Sequence, residues 1–167
     1  MAISLYQASV PAFIRALNNL AAIIEKGAAH AQARKIDDAV LLSSRLYPDM
    51  FPLVRQVQIA TDTARSGAGR LASAEFPAYE DKEATFQELA VRIRNTVAYL
   101  ESLRPAQIDG GEDKTISWQT RSSTKSMQAL PYLMNHLLPN IHFHVTTAYG
   151  ILRHNGVEIG KKDFLGP

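Results

Sequence analysis

Four stretches of this chain carry apolar residues at helical spacing, and that rhythm constrains the fold more than any motif does. In the first, Tyr6, Val10, Phe13, Leu17, Leu20 and Ile24 recur at alternating intervals of four and three, with polar residues between them. Such a period lays one apolar stripe along a helix. Pro11 falls within the stretch, so either Ser9 caps a helix with Pro11 in its first turn, or a longer helix kinks there. Gly27 is its expected end. In the second stretch Val54, Val57, Thr61, Ala64, Ala68 and Leu71 keep the rhythm, with Asp49 as the expected N-cap and Pro52 in the first turn. Phe86, Leu89, Ile93, Val97 and Leu100 form the third stripe, which Pro105 follows. The fourth contains Pro139 as a first-turn or kink residue and stops at Asn155-Gly156. The spacing predicts helices at 5–27, 49–72, 81–103 and 132–155.

The connections are less regular. Residues 31–47 hold a short apolar run, Val40-Leu41-Leu42 with Leu46, expected as a brief helix or an ordered link. After Asp109-Gly110-Gly111 the texture changes: residues 114–120 and 124–130 read as a small hairpin with Ile116 and Trp118 on one side. A lone hairpin is marginal in water and should lean on the helices. The tail, VEIGKKDFLGP, is expected to fold back with Phe164 and Leu165 as anchors. The fold class is therefore all-α: a four-helix bundle with a small β-hairpin between helices three and four. Val10, Leu17, Val57, Ala64, Ile93, Leu100, Val145 and Leu152 are the expected core.

A chain of 167 residues fits a single domain over 1–167 and can bury a core without disulfide or metal. Its net charge of +2 is small, and its basic residues cluster no further than pairs such as Arg34-Lys35 and Lys161-Lys162, which argues against a nucleic-acid footprint. Cysteine is absent, which excludes disulfides, thiolate catalysis and cysteine-held metals. The N-terminal stretch is apolar but has polar interruptions and no basic start, so neither a signal peptide nor a membrane span is expected. A cytoplasmic protein is.

The segment HFHVTTAYGILRHNG, residues 142–156, holds three histidines. At ~100° per residue, Leu137, Ile141, Val145, Ala148 and Leu152 share the core face. His144 falls at its edge with Asn140 one turn earlier, while His142 lies near the opposite edge with Tyr149 and Arg153. His136 is rotated further away, and His154 points outward near the helix end, where a cation suits the dipole. His142 and His144 are two apart and diverge, so they are no metal pair. The helical zinc spacing i, i+4 is met only by His136/Asn140/His144, and Asn is a poor ligand for zinc or nickel.

The stretches RLYPDMFPLVRQVQIATDTA and HFHVTTAYGILRHNGVEIGKKDFL resemble the bacterial family known as domain of unknown function 1993, a branch of the metalloenzyme-like DinB/YfiT group. The resemblance implies an up-down-down-up four-helix bundle, frequently a homodimer. Some relatives are metal-dependent transferases. The wider group carries one histidine on helix two and an HxxxH pair on helix four. Here His144 matches the second helix-four position and Asn140 stands at the first. Helix two has no histidine; Gln56 is the nearest polar residue, with Gln58 or Asp62 as alternatives.

Two functional classes follow. One is a non-enzymatic or small-ligand-binding dimer that has lost most of the family's metal ligands, and for it no cofactor is expected. The other is a metal-dependent transferase or hydrolase-like enzyme, with zinc or nickel held by His144. In either, His144 is the candidate catalytic residue, and Asn140, Gln56 and Tyr149 are candidate substrate-binding residues.

Overall fold

The computed structural model describes residues 3–120 and 122–167. The chain is mostly helical, with a two-stranded antiparallel sheet. Its four long helices are α1 (Leu5–Arg34), α3 (Leu53–Ala72), α4 (Phe86–Glu101) and α6 (Leu138–His154). Three short ones, α2 (Asp38–Leu42), α5 (Ala129–Tyr132) and α7 (Lys161–Leu165), join or extend them. The long helices share one core: α1 packs on α4 and α6, and α3 packs on the same two. All eight expected core residues are buried there.

Helix α1 begins earlier and ends later than expected. Ser4, not Ser9, is the N-cap, in a reciprocal capping box with Gln7. Ser9 lies inside the helix and donates to the Leu5 carbonyl at 2.7 Å, and Pro11 is interior. Gly27 does not stop the helix. A Cβ there would lie 3.1 Å from the Phe86 ring and 3.2 Å from Leu152 Cδ2, so its missing side chain serves close packing between α1, α4 and α6.

The other boundaries shift for local reasons. At α3 the cap position falls to Pro52, and Leu53 N–H donates to the Ser44 carbonyl at 2.9 Å, leaving Asp49 outside. At α4, Thr85 and Glu88 form a second capping box, so the helix starts at Phe86 rather than near Asp81. The carboxylates of Asp81 and Glu83 are used elsewhere, on arginines. The apolar run 40–42 becomes α2, capped by Asp37.

Strands β1 (Thr115–Gln119) and β2 (Thr124–Gln128) pair antiparallel with Ile116 opposite Met127 and Trp118 opposite Lys125. Ile116 is buried, and Trp118 packs at a tilt against Tyr132 and His136, each at 4.8 Å between ring centroids. The expected fourth helix is three pieces: α5, a π-helical turn at Leu133–Leu137, and α6. Leu138 N–H donates five residues back, to the Leu133 carbonyl. This wider turn comes just before Pro139, which cannot donate and crowds the preceding helical turn. Gly67 on α3 makes room for it, because a Cβ there would meet Leu137 Cδ2 at 2.5 Å.

After α6 the tail folds back onto α1. Asn19 and Arg15 hold the carbonyls of Phe164 and Leu165, and Lys26 pairs with Asp163. Phe164 is half-buried as expected of an anchor; Leu165 is exposed and is held through its main chain instead.

Candidate functional site

Helices α3 and α6 lie side by side, and their facing edges bring His144 and Gln56 together. Both side chains are buried, and His144 Nδ1 lies 2.7 Å from Gln56 Oε1. The direction of that bond follows from Gln56's other contact. Its Nε2 donates to the Phe51 carbonyl at 2.9 Å, so the amide oxygen is the atom that faces the imidazole. An oxygen can only accept, so Nδ1 must carry the proton. The Nε2 lone pair is left free. Nε2 has no hydrogen-bond partner among the described residues and is not sealed from solvent.

Burial lowers the His144 pKa to about 4, and the positive charge of nearby Arg55 works in the same direction. The ring is therefore neutral near pH 7. Such an imidazole is a weak base but a ready hydrogen-bond acceptor. Arg55 itself is held by Asp81 and by Gln58 Oε1 at 3.2 Å.

Two exposed aromatic residues border this pair, with the Arg55 charge near the imidazole. Phe143 meets the His144 ring edge-on at 5.2 Å and is exposed. Phe51, whose carbonyl orients Gln56, is exposed too, and so are Leu46 and Tyr47 in the same α2–α3 connection. Leu46 reaches α6, where its Cδ1 lies 3.6 Å from the place a Cβ of Gly150 would occupy.

The remaining candidates separate. Asn140 is half-buried one turn before His144 and makes no side-chain hydrogen bond among the described residues. Tyr149 belongs to another side of α6, where it meets Phe164 of α7 at 6.4 Å. His142 is exposed and lines a small cavity under the tail; His154 is exposed at the helix end. Gln58 and Asp62, the alternatives on α3, turn toward α4 and its preceding segment, binding Glu83 and Arg92 respectively.

That last contact belongs to a cluster which stripe counting passed over. The Arg92 side chain is only 2% exposed and reaches Asp62 at 2.7 Å, Glu83 at 2.9 Å and Asp81 at 3.1 Å. Its Nε donates to Thr61 Oγ1 at 2.8 Å. Arg65 also pairs with Asp62, and Tyr79 lies between the two guanidinium groups, 4.3 Å from Arg65 and 5.0 Å from Arg92. Burial raises the Asp62 pKa while Arg92 and Arg65 oppose that rise. We read Asp62 as ionised, because it is a third exposed and faces two guanidinium groups. The signal in the sequence was Arg92 itself, set between Leu89, Ile93 and Thr96 on the core side of α4.

The model of the domain-of-unknown-function family DUF1993 matches residues 5–165. The chain belongs to this family. A DinB family member protein from Shewanella denitrificans, known from its crystal structure, is 46% identical; the match covers 98% of this chain and 92% of that one, with a TM-score of 0.89. No curated protein matches.

DinB-like resemblance raises the question of a divalent metal, and the donor set answers it. This DUF1993 chain offers at His144 one imidazole and two carboxamides, with Gln56 already bonded at both ends. Arg55 adds positive charge beside it. Among the described residues no three His, Cys, Asp or Glu side chains gather to hold an ion. Tight zinc or nickel sites need more strong donors than this. The residues do not fit a metal.

Proposed function

We propose that this protein is a single DinB-like unit, with its long helices running up-down-down-up, that works as a homodimer and binds a small uncharged ligand at His144 without a metal. The observation that carries this reading is the hydrogen bond from His144 to Gln56, with Gln56 fixed in turn by the Phe51 carbonyl. It commits the Gln56 amide at both ends, so that His144 Nε2 is the one strong donor atom left where the resemblance puts metal ligands. What it leaves is a neutral imidazole whose free Nε2 accepts from an N–H or O–H donor. The exposed rings of Phe51 and Phe143 supply an apolar bed for the rest of such a ligand. Asn140, half-buried and uncommitted, is a second polar contact on the same helix.

Calorimetric titration of untagged protein with zinc and nickel tests the reading. The expected result is no stoichiometric binding that depends on His144. Uptake of one equivalent of either metal, lost in His144→Ala, would overturn it in favour of a metal-dependent transferase or hydrolase-like enzyme at the same place. Titration of acetamide against the His144 ring resonances probes the ligand class. Shifts centred on His144, and absent from His136 and His154, are expected.

A further inference from the structure

A groove at the C-terminal end of α1 carries a charge pattern for which the His144 site has no use. Lys26, His30 and Arg34 stand at i, i+4 and i+8, so they face one side of the helix across about 12 Å of rise. They wall a cavity of about 410 Å³ that is closed opposite by Gly156, Val157 and Glu158, just beyond α6. Gly156 has φ +87°, a left-handed turn that suits glycine, and His30 Cε1 lies 3.8 Å from where its Cβ would be.

The macrodipole accounts for Arg34, which is in the last turn, but not for Lys26. Lys26 is shared with Asp163 of α7 at 2.5 Å, while His30 and Arg34 have no ion-pair partner among the described residues. The main chain adds a donor. Gly156, Val157 and Ile159 all give their N–H groups to main-chain carbonyls, and Glu158 between them has no such acceptor among the described residues. One carboxylate, that of Glu158, stands among these groups.

We propose that this groove binds a small phosphorylated molecule. The Arg34 guanidinium and the His30 imidazole line one wall, beside the Lys26 ammonium that Asp163 shares, and the unpaired Glu158 N–H belongs to the other, a set that matches an anion with several acceptor oxygens. The cavity is near the lower end of the ~300–1,000 Å³ usual for small-molecule sites, so the ligand is metabolite-sized rather than polymeric.

Pyrophosphate titrated into the uniformly ¹⁵N-labelled full chain, at constant ionic strength, tests this by amide chemical shifts. Saturable shifts are expected at Ala29, His30, Arg34, Gly156 and Val157. Arg34→Gln should weaken binding about tenfold or more, the loss of one charge-assisted contact. Glu158→Gln should tighten it, because it removes the opposing charge. Both side chains are exposed, and dispersed spectra would confirm that the variants fold. The proposal is overturned if nothing saturates by about 10 mM, a Kd too weak for a built site, or if the shifts scatter over other lysines and arginines. It is overturned equally if both variants bind as the parent does. An oligothymidine strand that moves the same amides more tightly than pyrophosphate would assign the groove to nucleic acid instead.

Discussion

Acidification should unfold this protein partly through His144, and the size of the effect follows from its surroundings. An unperturbed histidine titrates near 6.5, whereas burial and Arg55 hold His144 at about 4 in the folded chain. Between those values the unfolded state binds the proton more readily, so stability falls as pH falls. The contribution is complete above about pH 7; linkage gives a loss of about 1 kcal/mol by about pH 5.5 and about 2 to 3 kcal/mol by about pH 4.5. Asp62, whose pKa burial raises, works in the opposite direction at lower pH, and His136, lowered by burial and by Lys125 and Arg70, works in the same one. The isolating comparison is therefore His144→Gln, measured by urea unfolding at several pH values beside the parent. The variant loses the Nδ1 bond and starts less stable by about 1 to 3 kcal/mol, as expected when Gln56 Oε1 is left unpaired. The decisive quantity is the slope. Between about pH 7 and pH 4.5 the two stability curves should converge by about 2 kcal/mol. Parallel curves would refute the claim that His144 is buried as the neutral, Gln56-bonded tautomer.

Three further outcomes follow from packing and charge. Leu152 is fully buried, so Leu152→Ala should cost ~2–5 kcal/mol in chemical denaturation. Gly67→Ala should destabilise by about 1–3 kcal/mol through overpacking against Leu137, and amide exchange should quicken in the π-helical turn. Arg92→Met removes the shared partner of Asp62, Glu83 and Asp81 and should cost about 3 kcal/mol or more at neutral pH, read by thermal unfolding. For the homodimer, light scattering of the parent at tens of micromolar should give twice the chain mass; a monomer mass there would count against the assembly.

What the sequence made legible was whatever depends on period. The stripes of α1, α3, α4 and α6 needed only the spacing of Val10, Val57, Ile93 and Val145, and their burial follows directly. The same angular reasoning set His144 apart from His142 and His154, while Gln56, with Gln58 and Asp62 as alternatives, came from the family resemblance, which places a site residue on the second helix. Boundaries were less legible because they are decided by competing local bonds. Ser4 outbids Ser9 as a cap because Gln7 answers it, and Thr85 outbids Asp81 because Glu88 does. Gly27 looked like a terminator because conformational freedom is glycine's commoner role; only the approach of Phe86 and Leu152 reveals that space is what it supplies. The π-helical turn was not legible at all, since nothing in the spacing of Leu133, Leu137 and Pro139 distinguishes it from a proline kink.

The arrangement around His144 also shows how a buried histidine is satisfied by neighbouring protein groups. An imidazole buried between two helices needs a partner, since an unsatisfied polar group there is costly. In a metal site the partner is the ion. Here Gln56 takes that part, and its own amide nitrogen is satisfied by the Phe51 carbonyl, so the chain His144–Gln56–Phe51 closes with every inner group paired. Substituting Gln56 should therefore expose the dependence. Gln56→Ala leaves Nδ1–H without its acceptor and frees the Phe51 carbonyl. The His144 ring then loses both its fixed tautomer and its fixed orientation. Ring ¹⁵N shifts report this directly: the parent should show one protonated Nδ1 and one bare Nε2, whereas the variant should show averaged values from exchanging tautomers. An unchanged Nδ1–H pattern in Gln56→Ala would mean that something other than Gln56 holds the ring, and the account of a site closed without metal would fail with it.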